Sequence, residues 1–197
     1  MPACEKCPAN KTRDLNKVLG KVEGKTIFVW AQSPGREENK EHKELVGAAG
    51  IFLWRELKRV HIDREDCDVQ NVVRCWPVDE REDILRTRKK LNKQELECCS
   101  AYNAQALEKS KARLYLIFGK ITAKQILGRE YDNERRILDF SEVLKAPVVC
   151  LNHPSYFIYH GYSDPDRPAN EALKRFRADL KKAAEKLDSF AKPRRTE

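Results

Sequence analysis

The sequence predicts an α/β fold: a three-layer α/β/α sandwich around a central, mostly parallel four-stranded sheet. Three observations carry that expectation. Four short runs are almost continuously apolar, the segments between them repeat apolar residues at offsets of three and four, and each run gives way to a turn that is polar or contains Gly or Pro. Strands covered on both faces are apolar throughout, and strands alternating with amphipathic helices form a parallel sheet with helices on either side.

In chain order, the strand candidates are Thr26-Ile27-Phe28-Val29-Trp30, Val69-Gln70-Asn71-Val72-Val73, Leu114-Tyr115-Leu116-Ile117-Phe118 and Pro147-Val148-Val149-Cys150-Leu151. The stretch from Leu45 to Val60 lines up Leu45, Ala49, Phe52, Leu53, Leu57 and Val60 as one helical face. Lys93 to Leu107 and Ala123 to Leu127 behave similarly. A last helix, roughly Ala169 to Leu187, sets Leu173, Phe176, Leu180, Ala184 and Leu187 against a basic face of Lys174, Arg175, Arg177, Lys181, Lys182 and Lys186. Such a face is either solvated or an aid to binding a polyanion. One domain is expected over residues 1–190, followed by a basic tail at 191–197 that frays.

With 197 residues and 41% hydrophobic content, the chain can close a core, which argues against wholesale disorder. Lys and Arg number 39 against 31 Asp and Glu, a net charge of +8 that favours a polyanionic partner, although a well-solvated surface gives the same arithmetic. No run approaches the roughly 18 apolar residues of a membrane span, and Met1-Pro2-Ala3-Cys4-Glu5-Lys6-Cys7 lacks the apolar stretch of a secretory signal. The expectation is a cytoplasmic protein with no membrane partner and reduced thiols. Seven cysteines, an odd number, do not make a disulfide framework, so metal binding, catalysis or core filling must account for them. Cys4 and Cys7 form a Cys-x-x-Cys knuckle, and Cys75, Cys98 and Cys99 are available as further ligands for zinc or an iron–sulfur cluster. An exposed thiol pair without metal is the alternative. Cys67 and Cys150, in or beside apolar strands, read as core.

In a parallel sheet the ligand crevice lies beyond the carboxyl ends of the strands. That rule selects Ala31 to Gly35, Asn71 to Pro77, Gly119 onward, and Asn152 to Ser155. Here the chain carries Ala31-Gln32-Ser33-Pro34-Gly35 followed by Glu37 and Glu38, then Glu44-Leu45-Val46-Gly47-Ala48-Ala49-Gly50. Further on stand Asn71-Val72-Val73-Arg74-Cys75-Trp76-Pro77, Cys99-Ser100-Ala101-Tyr102, Phe118-Gly119-Lys120-Ile121-Thr122 and His153-Pro154-Ser155. Together with the opening Cys4 and Cys7, these motifs and their order resemble the family 4 uracil-DNA glycosylases, the iron–sulfur branch of the uracil-DNA glycosylase superfamily. The resemblance runs from Cys4 to about Leu180.

That resemblance implies a monomeric, monofunctional DNA glycosylase whose partner is DNA containing a modified base. It implies a [4Fe–4S] cluster held by Cys4, Cys7, Cys75 and Cys99. His153 takes the role of stabilising negative charge on the departing base, with strand-end capping as the alternative. Asn71, a donor and an acceptor on one amide, takes the role of reading the pyrimidine edge; an Asn that merely ends a strand is the alternative. Ala31, Gln32, Ser33 and Leu45 line the base pocket. Pro34-Gly35 and Pro154-Ser155 let backbone approach the flanking phosphates, and among Tyr156, Phe157, Ile158 and Tyr159 the wedge entering the base stack is assigned to Phe157, against an ordinary core role.

Three departures from the family pattern stand out. Gln32 replaces a glutamate, removing a carboxylate that could activate water, a task for which Glu37 or Glu38 is a possible substitute. Leu45 replaces a phenylalanine that stacks on uracil, and Tyr159 replaces an arginine after the His-Pro-Ser triplet. Altered base preference, such as a bulky phage-type modified cytosine in an anti-phage defence role, is one consequence. A catalytically weak binder of damaged or single-stranded DNA is another, and a cluster-bearing scaffold of a repair complex a third. The charged insert between Asp79 and Lys90 is expected near the DNA side.

Overall fold

The computed structural model describes residues 5, 7, 20–76, 93–128, 138–162, 164 and 166–191. Cys4, Pro77, the insert from Asp79 to Lys90 and the tail from Lys192 onward lie outside these. Described strands are β1 (Ile27–Ala31), β2 (Cys67–Asn71), β3 (Leu114–Phe118), β4 (Leu138–Ser141) and β5 (Ala146–Leu151). Helices α1 (Arg36–Glu41) and α2 (Ala48–Lys58) separate β1 from β2. Helix α3 (Lys93–Lys109) precedes β3, α4 (Lys120–Leu127) follows it, and α5 (Pro154–Tyr159) and α6 (Glu171–Ala191) follow β5.

The sheet order is β2-β1-β3-β5-β4. The first four strands pair in parallel, as the sequence led one to expect, and β4 pairs antiparallel with β5 as an additional edge. That fifth strand was not foreseen. It is four residues long and its Phe140 is 53% exposed, so it shows neither a buried run nor a readable alternation.

Alternation along the strands divides the core in two. Ile27, Val29 and Ala31 of β1, Leu114, Leu116 and Phe118 of β3, and Val149 and Leu151 of β5 face Phe52, Phe157 and Phe176 from α2, α5 and α6. Their neighbours Phe28, Trp30, Tyr115, Ile117, Val148 and Cys150 face Ala106 of α3 and Ala123 and Ile126 of α4. This two-residue period, with both faces apolar, is what places helices on both sides. On edge strand β2, Asp68 accepts the backbone N–H groups of Glu23, Gly24 and Lys25 at 2.8–3.0 Å, so the chain before β1 covers that edge through polar bonds.

No described helix is long and apolar enough to cross a membrane. The basic face expected on α6 is partly occupied: Arg177 grips the buried carboxylate of Glu56 at 2.6 and 3.0 Å.

Candidate active site

All four parallel strands end at one rim, and the residues just beyond them meet there. Ala31 pairs with Asn71, and Phe118 with Leu151. The amide of Gly119 donates to Leu151 O at 2.8 Å, while Val72 and Val73 donate to Ala31 O and Gln32 O at 3.0 Å each. Asn71 continues the alternation of Cys67 and Val69 on the face that packs α2, α5 and α6. His153 extends the alternation of Val149 and Leu151 toward that same face, with an extended backbone at φ −62° and ψ 136°. Three strand spacings of about 4.8 Å separate their backbones, roughly 14 Å, with the crevice between them. Asn71 is buried, and no described residue forms a side-chain hydrogen bond with its carboxamide.

His153 is the N-cap of α5. Its Nδ1 accepts the backbone N–H of Ser155 at 3.2 Å and lies 2.8 Å from Ser155 Oγ. A backbone N–H can only donate, so Nδ1 is an acceptor and the ring proton sits on Nε2. The structure shows the capping alternative, and capping is what fixes the tautomer. Behind the ring, Gly119 has φ +95°, a conformation that strains other residues, and a Cβ there would stand 3.4 Å from His153 Cβ. The positive φ, not the contact itself, is what favours glycine here.

The first loop is held from within. Glu38, buried on α1, accepts N–H groups from Gly35 at 3.0 Å, Val46 at 3.0 Å and Gly47 at 2.7 Å. It lashes the turn after β1 to the 44–47 loop. Glu37 is exposed and bonded to Lys40. Neither carboxylate replaces the one missing at Gln32: one is consumed by three amides, and the other faces solvent with a cation. Leu45 has φ +51°, and its carbonyl accepts from Trp54 Nε1 at 2.9 Å and Arg64 Nη1 at 3.1 Å. Gly50 packs so tightly on the Leu45 backbone that a Cβ would fall 2.0 Å from Leu45 O. The Leu45 side chain is buried in the core, and Ser33 and Pro34 are buried beside half-buried Gln32.

One sequence expectation needs correction. Phe157 does not project outward. It is 0% exposed, stacked on Phe52 at 5.1 Å between ring centroids and edge-on to Phe176 at 4.8 Å, so it cannot reach a base stack. Tyr159, at 82% exposed, and Tyr156, at 39%, are the outward aromatics of that helix, with Tyr156 against His160. The Gly35 and Ser155 amides are donated to Glu38 and to His153. Lys120 and Arg36, the exposed first residues of the helices that follow β3 and β1, are cations that the motifs did not single out. Their position one residue beyond a Gly-containing strand end was the available signal.

The thiols gather on the other side of the β2 end. Cys99 is buried on α3 and receives the backbone N–H of Arg74, and Cys75 and Cys7 are close enough for their charges to act on it. Burial pushes the Cys99 thiol up to about 11, opposed by the Arg74 amide and reinforced by Cys75 and Cys7. Cys67 is pushed up to about 12 by burial, and Cys150 is 0% exposed, so both behave as core thiols. Among the described residues no three Cys, His, Asp or Glu are gathered tightly enough to hold a metal ion, and Cys4 is outside them. A donor set of thiols alone, with a buried guanidinium beside it, fits an iron–sulfur cluster better than a hard cation. That guanidinium is Arg74, 3% exposed, whose pKa burial pulls down to about 10 against the charges of Cys99 and Glu44.

The family model described as the uracil DNA glycosylase superfamily matches residues 19–181. The chain belongs to the uracil DNA glycosylase superfamily. It is 34% identical over 130 residues to a type-4 uracil-DNA glycosylase of Pyrobaculum aerophilum, covering 64% of this chain and 62% of that protein. It is 26% identical over 199 residues to the Archaeoglobus fulgidus protein of the same name, covering 93% of this chain and 87% of the relative. A Thermotoga maritima protein, again so named, is 38% identical over 80 residues, 40% of this chain and 41% of the relative. Within this superfamily member, the matched region includes every strand-end loop described above, while Cys4 and Cys7 lie before it.

Proposed function

We propose that the chain is a DNA glycosylase, a hydrolase that takes uracil or another modified base out of the DNA stack and breaks its N-glycosidic bond without a lyase step. One observation carries the reading: the Ser155 amide commits His153 Nδ1 to accepting, which puts the ring proton on Nε2 just beyond the carboxyl end of β5. When the glycosidic bond breaks, its electron pair leaves with the base, which departs as an anion, and the sugar becomes oxocarbenium-like. A water oxygen then bonds to C1′ and releases its proton to solvent. A fixed donor aimed at the base's oxygen lowers that barrier, a contribution worth about 10²–10³ in rate.

Asn71 supplies a donor and an acceptor to the edge of the extruded pyrimidine. Gln32 holds the water by hydrogen bonding but cannot take its proton, so attack relies on the electrophilicity of the sugar cation. Ala31, Ser33 and Leu45 shape the pocket floor. Pro34, Gly35, Pro154 and Ser155 form thin rims beside the DNA backbone, with Arg36 and Lys120 to attract phosphate. Cys4, Cys7, Cys75 and Cys99 are the thiols that would hold a [4Fe–4S] cluster. That group supplies cross-links between the N-terminal segment, the β2 end and α3 rather than a step in hydrolysis. The reading needs a single copy of the chain.

A second reading rests on a specific observation: Glu38 is occupied by three amides and Glu37 is bonded to Lys40, the two carboxylates that follow the Gln32 loop most closely. A weak catalyst that binds damaged or single-stranded DNA is consistent with that. A panel of oligonucleotides carrying different modified bases, with mass detection of the released base, separates the possibilities. Multiple turnover with free uracil is the expected result. Release only of a bulky phage-type modified cytosine moves the substrate. Tight binding with no free base after long incubation overturns the glycosylase reading in favour of the binder.

A further inference from the structure

We propose that Arg74 is a positioning residue for the thiolate-held cluster, donating through Nε and Nη1 to its sulfur atoms and compensating its negative charge. The proposal rests on the reading of Cys75 and Cys99 as ligands and goes beyond it. Arg74 directly precedes Cys75 and is 3% exposed. Its Nη2 donates to Asn103 Oδ1 at 3.1 Å, its backbone N–H bonds to Cys99, and its guanidinium lies 5.7 Å from the centre of the Trp30 ring. Its Nε and Nη1 are buried without a hydrogen-bond partner among the described residues.

A guanidinium presents five N–H donors and keeps its charge, and a buried one left unpaired is strongly destabilising. The groups whose negative charge acts on it are Cys99 and Glu44, and neither offers an acceptor to Nε or Nη1. What the two orphaned donors lack among the described residues is an acceptor. Thiolate and sulfide sulfur bound to iron are such acceptors, and hydrogen bonds to them, together with nearby charge, set the reduction potential of a cluster. A cation with N–H donors stabilises the more negative, reduced state and so raises that potential. The fixed bond to Asn103 orients the guanidinium so that its remaining edge is presented rather than wandering.

The test uses the iron-loaded full chain with Arg74→Met and Arg74→Lys. Midpoint potential is read by spectroelectrochemistry, and iron loss to a chelator by the fading of visible absorbance. Arg74→Met is expected to shift the potential to more negative values and to lose iron about 10-fold faster. Arg74→Lys, which keeps the charge but not the fork of donors, is expected to lie between. Potentials and release rates equal to wild type in the variants overturn the proposal. Should Arg74→Met not accumulate in folded form, Arg74→Lys decides alone by the same criterion. Wild-type protein that purifies without iron instead overturns the ligand reading, and the Arg74 proposal falls with it.

Discussion

A histidine ring that accepts a hydrogen bond at one nitrogen has its donor at the other, and the backbone decides which. At His153 the cap of α5 makes that decision, so the geometry of a six-residue helix sets the tautomer of the ring. The same helix turns Phe157 inward and Tyr159 outward, and the two aromatic residues should separate cleanly in experiment. Phe157→Ala removes a ring packed on Phe52 and Phe176 and is expected to cost about 3–5 kcal/mol in a denaturant titration, with DNA affinity unchanged in the fraction that stays folded. Tyr159→Ala is expected to leave stability within about 0.5 kcal/mol and to weaken binding of a uracil-containing oligonucleotide in fluorescence anisotropy. The reverse pattern would return the wedge role to Phe157.

Among the elements, the turn between β2 and α3 is the joint on which the site depends. Asn103 of α3 donates to Val72 O at 3.1 Å and accepts from Arg74 Nη2 at 3.1 Å, so one buried carboxamide holds the segment running from Asn71 to Cys75. Asn103→Leu leaves Val72 O without its side-chain donor and Arg74 Nη2 with only the 3.5 Å bond to Tyr102 O, and is expected to cost about 1–3 kcal/mol. It should also raise KM for a cognate substrate more than it lowers kcat, because Asn71 loses its registration while His153 is untouched. Equal effects on both constants, or none, contradict this role. The elements differ in how plainly the sequence announced them. β1, β3 and β5 were readable because both of their faces are buried, and Leu114–Phe118 matched to the residue. β4 was not, since an exposed edge leaves no apolar run. The part played by Glu38 was hidden too: a carboxylate in the charged stretch Arg36–Glu41 looks solvated, and only the fold brings the amides of Val46 and Gly47 to it. The inward phase of Phe157 could not be read from four consecutive apolar and aromatic residues, which fit either side of a short helix.

Across the whole molecule, the sheet separates two tasks. The face packed by α2, α5 and α6 ends in Asn71 and His153, and the face packed by α3 ends beside Cys75 and Cys99. Motif order in the sequence located both groups because strand ends of a parallel sheet converge whatever the intervening chain does. The contacts that make them work, from Gly119 behind the imidazole to Asn103 across the joint, depend on distances in space and had no linear signature. The claim that unites the two faces is that His153 Nε2–H carries the chemistry while the thiol side only supports it. Single-turnover excision of uracil from a single-stranded oligonucleotide, compared between wild type and His153→Ala at matched iron content, tests it most directly. The account predicts a loss of about 10²–10³ in the rate of free-base release, with iron content and fold retained; release at the wild-type rate by His153→Ala would contradict it.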